Sequence, residues 1–192
     1  GHGSETFKQG VMNSCNPVFM EIGARVGAKD MLRYYHKLGL YERTGVDLPG
    51  EANSIMHKLD KIGAVELATM SFGQSIQITP LQLMRAVSAG INGGRLVTPH
   101  FALEKKNPVT KEIKEYEYKE KAGAVSKETS QTLREVLEAV VSEGTGKNGQ
   151  VEGYRVGGKT ATSEKLPRRS GKYISSFLEF APANHPKILG LV

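Results

Sequence analysis

Apolar residues recur along this chain with two periods, and the change from one to the other organises it. The first third is helical in spacing. Ser4 stands where a helix cap is expected, with Phe7 and Val11 on one side, and the pattern breaks between Asn13 and Asn16. Pro17 suits the first turn of a new helix with Val18, Ile22 and Val26 on one stripe, and Gly27 is placed to stop it. Asp30 precedes a further periodic stretch through Met31, Leu32, Tyr35 and Leu38, ended by Gly39. The pattern weakens from Tyr41 to Asp60, around a turn signal at Leu48-Pro49-Gly50-Glu51. Thr79-Pro80 is a cap followed by a first-turn proline, and it opens a helix through Leu83, Val87 and Ile91 that ends at Asn92-Gly93-Gly94.

Later the period shortens. Arg95 to Glu104 and Ile113 to Lys119 read as strands joined by a turn at Asn107-Pro108. Ser126 then caps the strongest helix, with Leu133, Val136, Leu137, Val140 and Val141 on one face. A glycine-rich stretch from Gly144 to Gly153 leads to three strand-like runs, Tyr154 to Thr162, Tyr173 to Ala181 and Lys187 to Val192. Pro182 to Pro186 connects the last two. Helices first and a meander of strands last predict one α+β domain over residues 1–192 with an antiparallel sheet.

Composition narrows the partners. A content of 39 % hydrophobic and 24 % charged residues over 192 positions is that of a folded domain with its own core. The net charge of +6 permits an acidic partner, but acidic residues sit between most of the cations. The densest basic group, Lys165, Arg168, Arg169 and Lys172, reads as a solvated loop. Without a basic stripe or any Trp for stacking, nucleic acid is not the expected ligand. Cys15 is the only cysteine, which excludes an internal disulfide. No apolar run approaches the ~20 residues needed to span a bilayer, and Gly1 to Gly10 lacks the apolar centre of a signal peptide. The chain ends on the apolar run Ile188 to Val192 with no turn or cap after it, so truncation at both ends is expected.

Two short motifs carry candidate chemistry. Ser14-Cys15-Asn16 places a hydroxyl and a carboxamide two residues apart at a helix break. Lys159-Thr160-Ala161-Thr162 lies on a strand, which puts Lys159 and Ala161 on one face and Thr160 and Thr162 on the other. A cation beside two hydroxyls suits a carboxylate. Each motif alone also fits a plain structural role, the first as a capped helix start and the second as solvated strand.

Three rival readings arise from the same residues. Gly153 to Thr160 matches a nucleotide-binding P-loop letter for letter, but that motif needs a buried strand before it and a helix beginning at its Lys-Thr. Gly149-Gln150-Val151-Glu152 is too polar for that strand, and Pro167 and the charges after Ala161 oppose the helix. A thiol enzyme would need a partner for Cys15, and none of His2, His36, His57, His100 and His185 is marked as one or shows metal-ligand spacing. The third is a non-catalytic scaffold or interaction module.

Taken together, the segments resemble the class B penicillin-binding proteins, the sporulation-specific type among them. Val11 to Phe19 is similar to that family's second motif. Gly73-Gln74-Ser75 with Thr79-Pro80-Leu81-Gln82 resembles its Gly-Gln-Gly segment and the helix that follows. Gly157-Gly158-Lys159-Thr160-Ala161-Thr162 resembles its Lys-Thr-Gly strand, and Phe180-Ala181-Pro182-Ala183 the turn after the next strand. The resemblance implies a penicillin-binding-protein/serine β-lactamase-like transpeptidase fold, an antiparallel sheet with helices. It also implies a serine acyl transferase that cross-links peptidoglycan stem peptides, binds β-lactams, needs no metal or cofactor and works with other cell-wall synthesis proteins.

By the same resemblance Ser14 relays a proton toward the leaving amine and Asn16 hydrogen-bonds the substrate amide and the lysine of the nucleophile. Lys159 supplies positive charge near Ser14, Thr160 and Thr162 hold a carboxylate, and the Thr162 N–H is one oxyanion donor. The parent is expected on the outer face of the cell membrane, anchored by an N-terminal transmembrane helix outside this chain. Three departures stand out. Ser-x-x-Lys, which carries nucleophile and base, occurs nowhere, and Ser4 and Lys8 are one residue too far apart. The isolated chain is therefore expected to be inactive. Ala161 stands where most members have Gly, and Glu179 where a small residue is expected. The sheet edge left open predicts self-association.

Overall fold

Local signals start most of the helices. In the computed structural model, which describes residues 2–165 and 170–192, α1 (Phe7–Met12) begins not at Ser4 but at Thr6. Thr6 and Gln9 form a reciprocal capping box that satisfies two otherwise orphaned N–H groups, an arrangement Ser4 has no partner for. After the break, α2 (Asn16–Lys37) carries Pro17 in its first turn. The expected stop at Gly27 is a kink: this residue adopts φ 78° and ψ 158°, and the second half of α2 continues beyond it. α3 (Ala64–Ser71), which the sequence pattern did not single out, packs against α2, with the Tyr35 hydroxyl donating to the Met70 carbonyl at 3.1 Å. α4 (Pro80–Ile91) starts from the Thr79 cap with its Gln82 partner. α5 (Lys127–Ser142) starts from Ser126, whose hydroxyl accepts the Thr129 N–H.

The strands after α4 differ from expectation. The runs from Arg95 and from Ile113 do not form one long hairpin. β1 (Leu96–Val97) pairs with β4 (Glu120–Lys121), and β2 (Glu104–Lys106) pairs with β3 (Ile113–Glu115). Between β1 and β2 the backbone turns away to a side chain. The Asp47 carboxylate accepts the N–H groups of Phe101 and Ala102, together with the Tyr118 hydroxyl, and these bonds hold it below the usual carboxylate range.

The last part is an antiparallel sheet in the order β5-β6-β7, made of β5 (Gly157–Glu164), β6 (Tyr173–Ala181) and β7 (Ile188–Leu191). β5 starts three residues later than the pattern suggested. Tyr154 is exposed, and Arg155 turns outward to a two-pronged ion pair with Glu138, with both N···O distances 2.7 Å. Glu179 is accommodated because its two neighbours across the ladder are Gly158 and Gly190, which leave its side chain room. Of the basic group expected as a loop, Lys165 and Lys172 are exposed and joined through a backbone hydrogen bond, while residues 166–169 lie outside the described residues.

The apolar stripe of α5 organises the core. Val136, Leu137 and Val140 meet Val11 of α1, Ile91 of α4 and Phe180 of β6, with Met12, Phe19 and Leu189 packed around them. Gly144, just past α5, lets the chain pass close to α1: a Cβ there would come within 2.6 Å of the Met12 carbonyl. The next residue donates its N–H to that same carbonyl at 3.0 Å. α5 therefore holds the end of α1 and the start of β5 side by side.

Phe180 is 1 % exposed, so Phe180→Ala is expected to destabilise the fold by about 3–5 kcal/mol, read from the urea midpoint. Burial pushes the Tyr35 hydroxyl up from 10.0 to about 12. A pKa raised on folding gives stability that is complete below the unfolded value and is lost above it. The stability difference between the wild type and Tyr35→Phe should therefore be flat below pH 10.0 and shift against Tyr35 from there to about pH 12 in pH-dependent denaturation.

Candidate active site

The break between α1 and α2 is a tight turn. Ser14 takes a left-handed conformation, φ 51°, while its N–H donates to the Val11 carbonyl and that of Cys15 to the Gly10 carbonyl. This turn points the Ser14 hydroxyl away from both helices toward β5. Lys159 reaches it from the sheet: its Nζ donates to Ser14 Oγ at 2.7 Å and to the Thr160 carbonyl at 2.9 Å. Burial pushes the Lys159 ammonium down from its ordinary value. Both of these bonds go to neutral oxygens, so they hold the cation without neutralising it.

The other expected residues fall around this pair. Asn16 is exposed at the first turn of α2 and lines, with Ser14 and Cys15, an open groove of about 700 Å³ that also touches Phe7, Pro17 and Val18. Lys159 is not part of that groove's lining; it reaches Ser14 from β5. Thr160, on the opposite strand face from Lys159, shares a hydrogen bond with the Thr145 hydroxyl at 3.2 Å. Ala161 and Thr162 are exposed, paired with Ser176 and Ser175 of β6. β5 is an outer strand, so among the described residues one of its edges carries no partner strand and is open to an extended ligand.

Two of the three rival readings do not fit this structure. Lys159 and Thr160 lie inside β5, which runs on to Glu164, so no helix begins where a P-loop requires one. Cys15 is not an activated nucleophile, because the neighbouring Glu5 carboxylate raises its thiol above the ordinary value.

Two neighbours of the site were not legible in the sequence. Thr145 sits in a glycine-rich stretch whose only signal was flexibility, and its hydroxyl meets Thr160 through the packing of α5. Glu5 was passed over as part of a polar leader, yet its side chain is only 4 % exposed. It accepts a short hydrogen bond from the Asn13 carboxamide. One ligand atom each of His2, Glu5 and Cys15 also lies within 4.8 Å of the others, a grouping that residue spacing did not suggest.

Comparison with known proteins gives a consistent picture. The family model described as the penicillin binding protein transpeptidase domain matches residues 1–192. Stage V sporulation protein D of Bacillus subtilis is 46 % identical over 195 residues, covering 98 % of this chain. The probable peptidoglycan D,D-transpeptidase PenA of Neisseria gonorrhoeae is 33 % identical over 186 residues, covering 94 %. The chain spans 30 % of the length of each of these relatives. Among solved structures, penicillin binding protein 3 of Mycobacterium tuberculosis, in a complex with aztreonam, superposes with a TM-score of 0.88 at 29 % identity, over 97 % of this chain and 44 % of that one. The mixed helix and sheet architecture is thus that of the transpeptidase domains. With its whole length matched, the chain belongs to the penicillin-binding protein transpeptidase domain family.

Proposed function

We propose that this chain forms the part of a peptidoglycan D,D-transpeptidase that binds the stem peptide and transfers the leaving-group proton, acting on the outer face of the cell membrane. The observation that carries this reading is the 2.7 Å hydrogen bond from Lys159 to Ser14, which joins residues 145 apart in the sequence where the α1–α2 turn meets β5. A nucleophilic serine and its lysine come from a Ser-x-x-Lys segment of the parent protein. The serine oxygen attacks the carbonyl carbon of a stem-peptide amide, its proton passing to the lysine. When the tetrahedral intermediate collapses, the C–N bond breaks and the departing amine takes a proton through the Ser14 hydroxyl. An acyl-enzyme remains, and the amine of a second stem peptide resolves it.

In this scheme Lys159 keeps the Ser14 hydroxyl oriented and adds positive charge where the substrate carboxylate and the oxyanion lie. Asn16, exposed beside Ser14, hydrogen-bonds the substrate amide and the nucleophile's lysine. Thr160 and Thr162 hold the carboxylate of a stem peptide or β-lactam, and the Thr162 N–H is an oxyanion donor. Substrate lies along the open edge of β5 as an added strand. The Ala161 methyl, where most of the family has glycine, crowds a ligand lying along that strand, favouring a slim peptide over a bulky β-lactam.

In the intact transpeptidase, Lys159→Ala and Ser14→Ala are each expected to slow acylation by a fluorescent penicillin about 10²–10⁴-fold. Ala161→Gly should accelerate acylation by bulky β-lactams more than by small ones. The isolated 192-residue chain should show no covalent label on a denaturing gel, since no Ser-x-x-Lys is present in it. Full labelling of Lys159→Ala at the wild-type rate would sink the reading.

A further inference from the structure

Ser14 holds a backbone conformation that L-residues other than Asn and Asp seldom adopt. Its own N–H is bonded to the Val11 carbonyl, but the side chains on either side of it are exposed or half-buried and need another hold. Both reach the same group. The Asn13 carboxamide donates to Glu5 Oε1. The Cys15 thiol lies within 4.8 Å of this carboxylate; Asn13 first and the thiol second pull Glu5 down, and the carboxylate raises Cys15. The carboxylate beside them is buried, and among the described residues its Oε2 has no hydrogen-bond donor. A charge withdrawn from water in this way needs nearby compensation. Here it is supplied by Asn13, by the thiol, and by His2 Nδ1 at 3.9 Å.

We infer that Glu5 is a positioning residue for the reaction: it ties the side chains of Asn13 and Cys15 to one buried carboxylate and so fixes the left-handed turn that presents Ser14 to Lys159. The inference rests on the acyl-transfer reading above for its consequence, though not for its geometry. Glu5 borders the same groove as Ser14, but its side chain is buried and takes its hydrogen bond from Asn13 rather than from a ligand. It acts through the turn, much as a staple through two adjacent links. Cys15 accordingly serves as a neighbour of Glu5 at the N-cap position of α2. That arrangement explains a thiol next to a relay serine without giving it any chemistry of its own.

The test uses the intact transpeptidase that contains this chain. Glu5→Ala and Cys15→Ala should lower the acylation rate constant for a fluorescent penicillin about tenfold or more, as misplacement of a reacting group does. The dissociation constant of the pre-covalent complex and the melting temperature should stay near those of the wild type. Cys15→Ser, which restores a hydroxyl donor, should recover most of the rate, and the double variant should be no worse than the poorer single one. Unchanged rates overturn the inference, and so does a loss shared equally by affinity, rate and melting temperature. A stoichiometric divalent metal in the purified protein, released on Cys15→Ala, also overturns it, since Glu5 and the thiolate would then be ligands rather than a tether. Should the wild type itself fail to be acylated, the acyl-transfer reading falls. The tether is then judged from a crystal structure of Glu5→Ala: a Ser14 that leaves its left-handed conformation supports it, and a Ser14 unmoved beside Lys159 overturns it.

Discussion

The apolar stripe of α5 is the constraint from which the site follows. Val136, Leu137 and Val140 must be buried, and the surfaces that bury them are Val11 at the end of α1 and Phe180 in the middle strand of the sheet. Because one helix satisfies both, the α1–α2 break and the start of β5 have to be neighbours. The backbone bond from Thr145 to the Met12 carbonyl, made possible by Gly144, tightens that arrangement at the helix end. Only then can Lys159 reach Ser14.

The polar site is built on rigid supports of three kinds. Ser14 is held by a turn between two helices, Lys159 by a ladder of pairs with β6, and Thr160 by the hydroxyl at the end of α5. Lys159 shows why such support matters. Burial disfavours its charged form, and two oxygen acceptors hold the ammonium in place without neutralising it. A cation held in this way on a strand with an open edge is consistent with the proposed recognition of an anionic peptide end.

Much of this could be read from the residues. The helix at Ser126, its apolar face and the two flanking strands β6 and β7 follow from spacing and caps, since both signals are local. Ser14, Asn16, Lys159, Thr160 and Thr162 could be singled out as motif residues, because residue type and close spacing are read without the fold. What the spacing mistook was governed by distant partners. Arg95 to Glu104 is no continuous strand because Asp47, far away in sequence, captures the N–H groups of Phe101 and Ala102. α3 lacked an obvious signature, as its eight residues gain their stability by packing on α2 rather than from a strong cap.

The sequence by itself determined the parts: which segments are helical, which are extended, and which side chains could relay a proton or hold a carboxylate. It did so because hydrogen-bonded turns, capping and strand alternation depend on neighbours a few residues apart. Only the tertiary structure decided that Ser14 and Lys159 share one hydrogen bond, that Thr145 meets Thr160, and that Glu5 is buried against the residues flanking Ser14. Those contacts join positions brought together by burial of the α5 face, and no local pattern encodes the distance between surfaces that meet only in the folded chain.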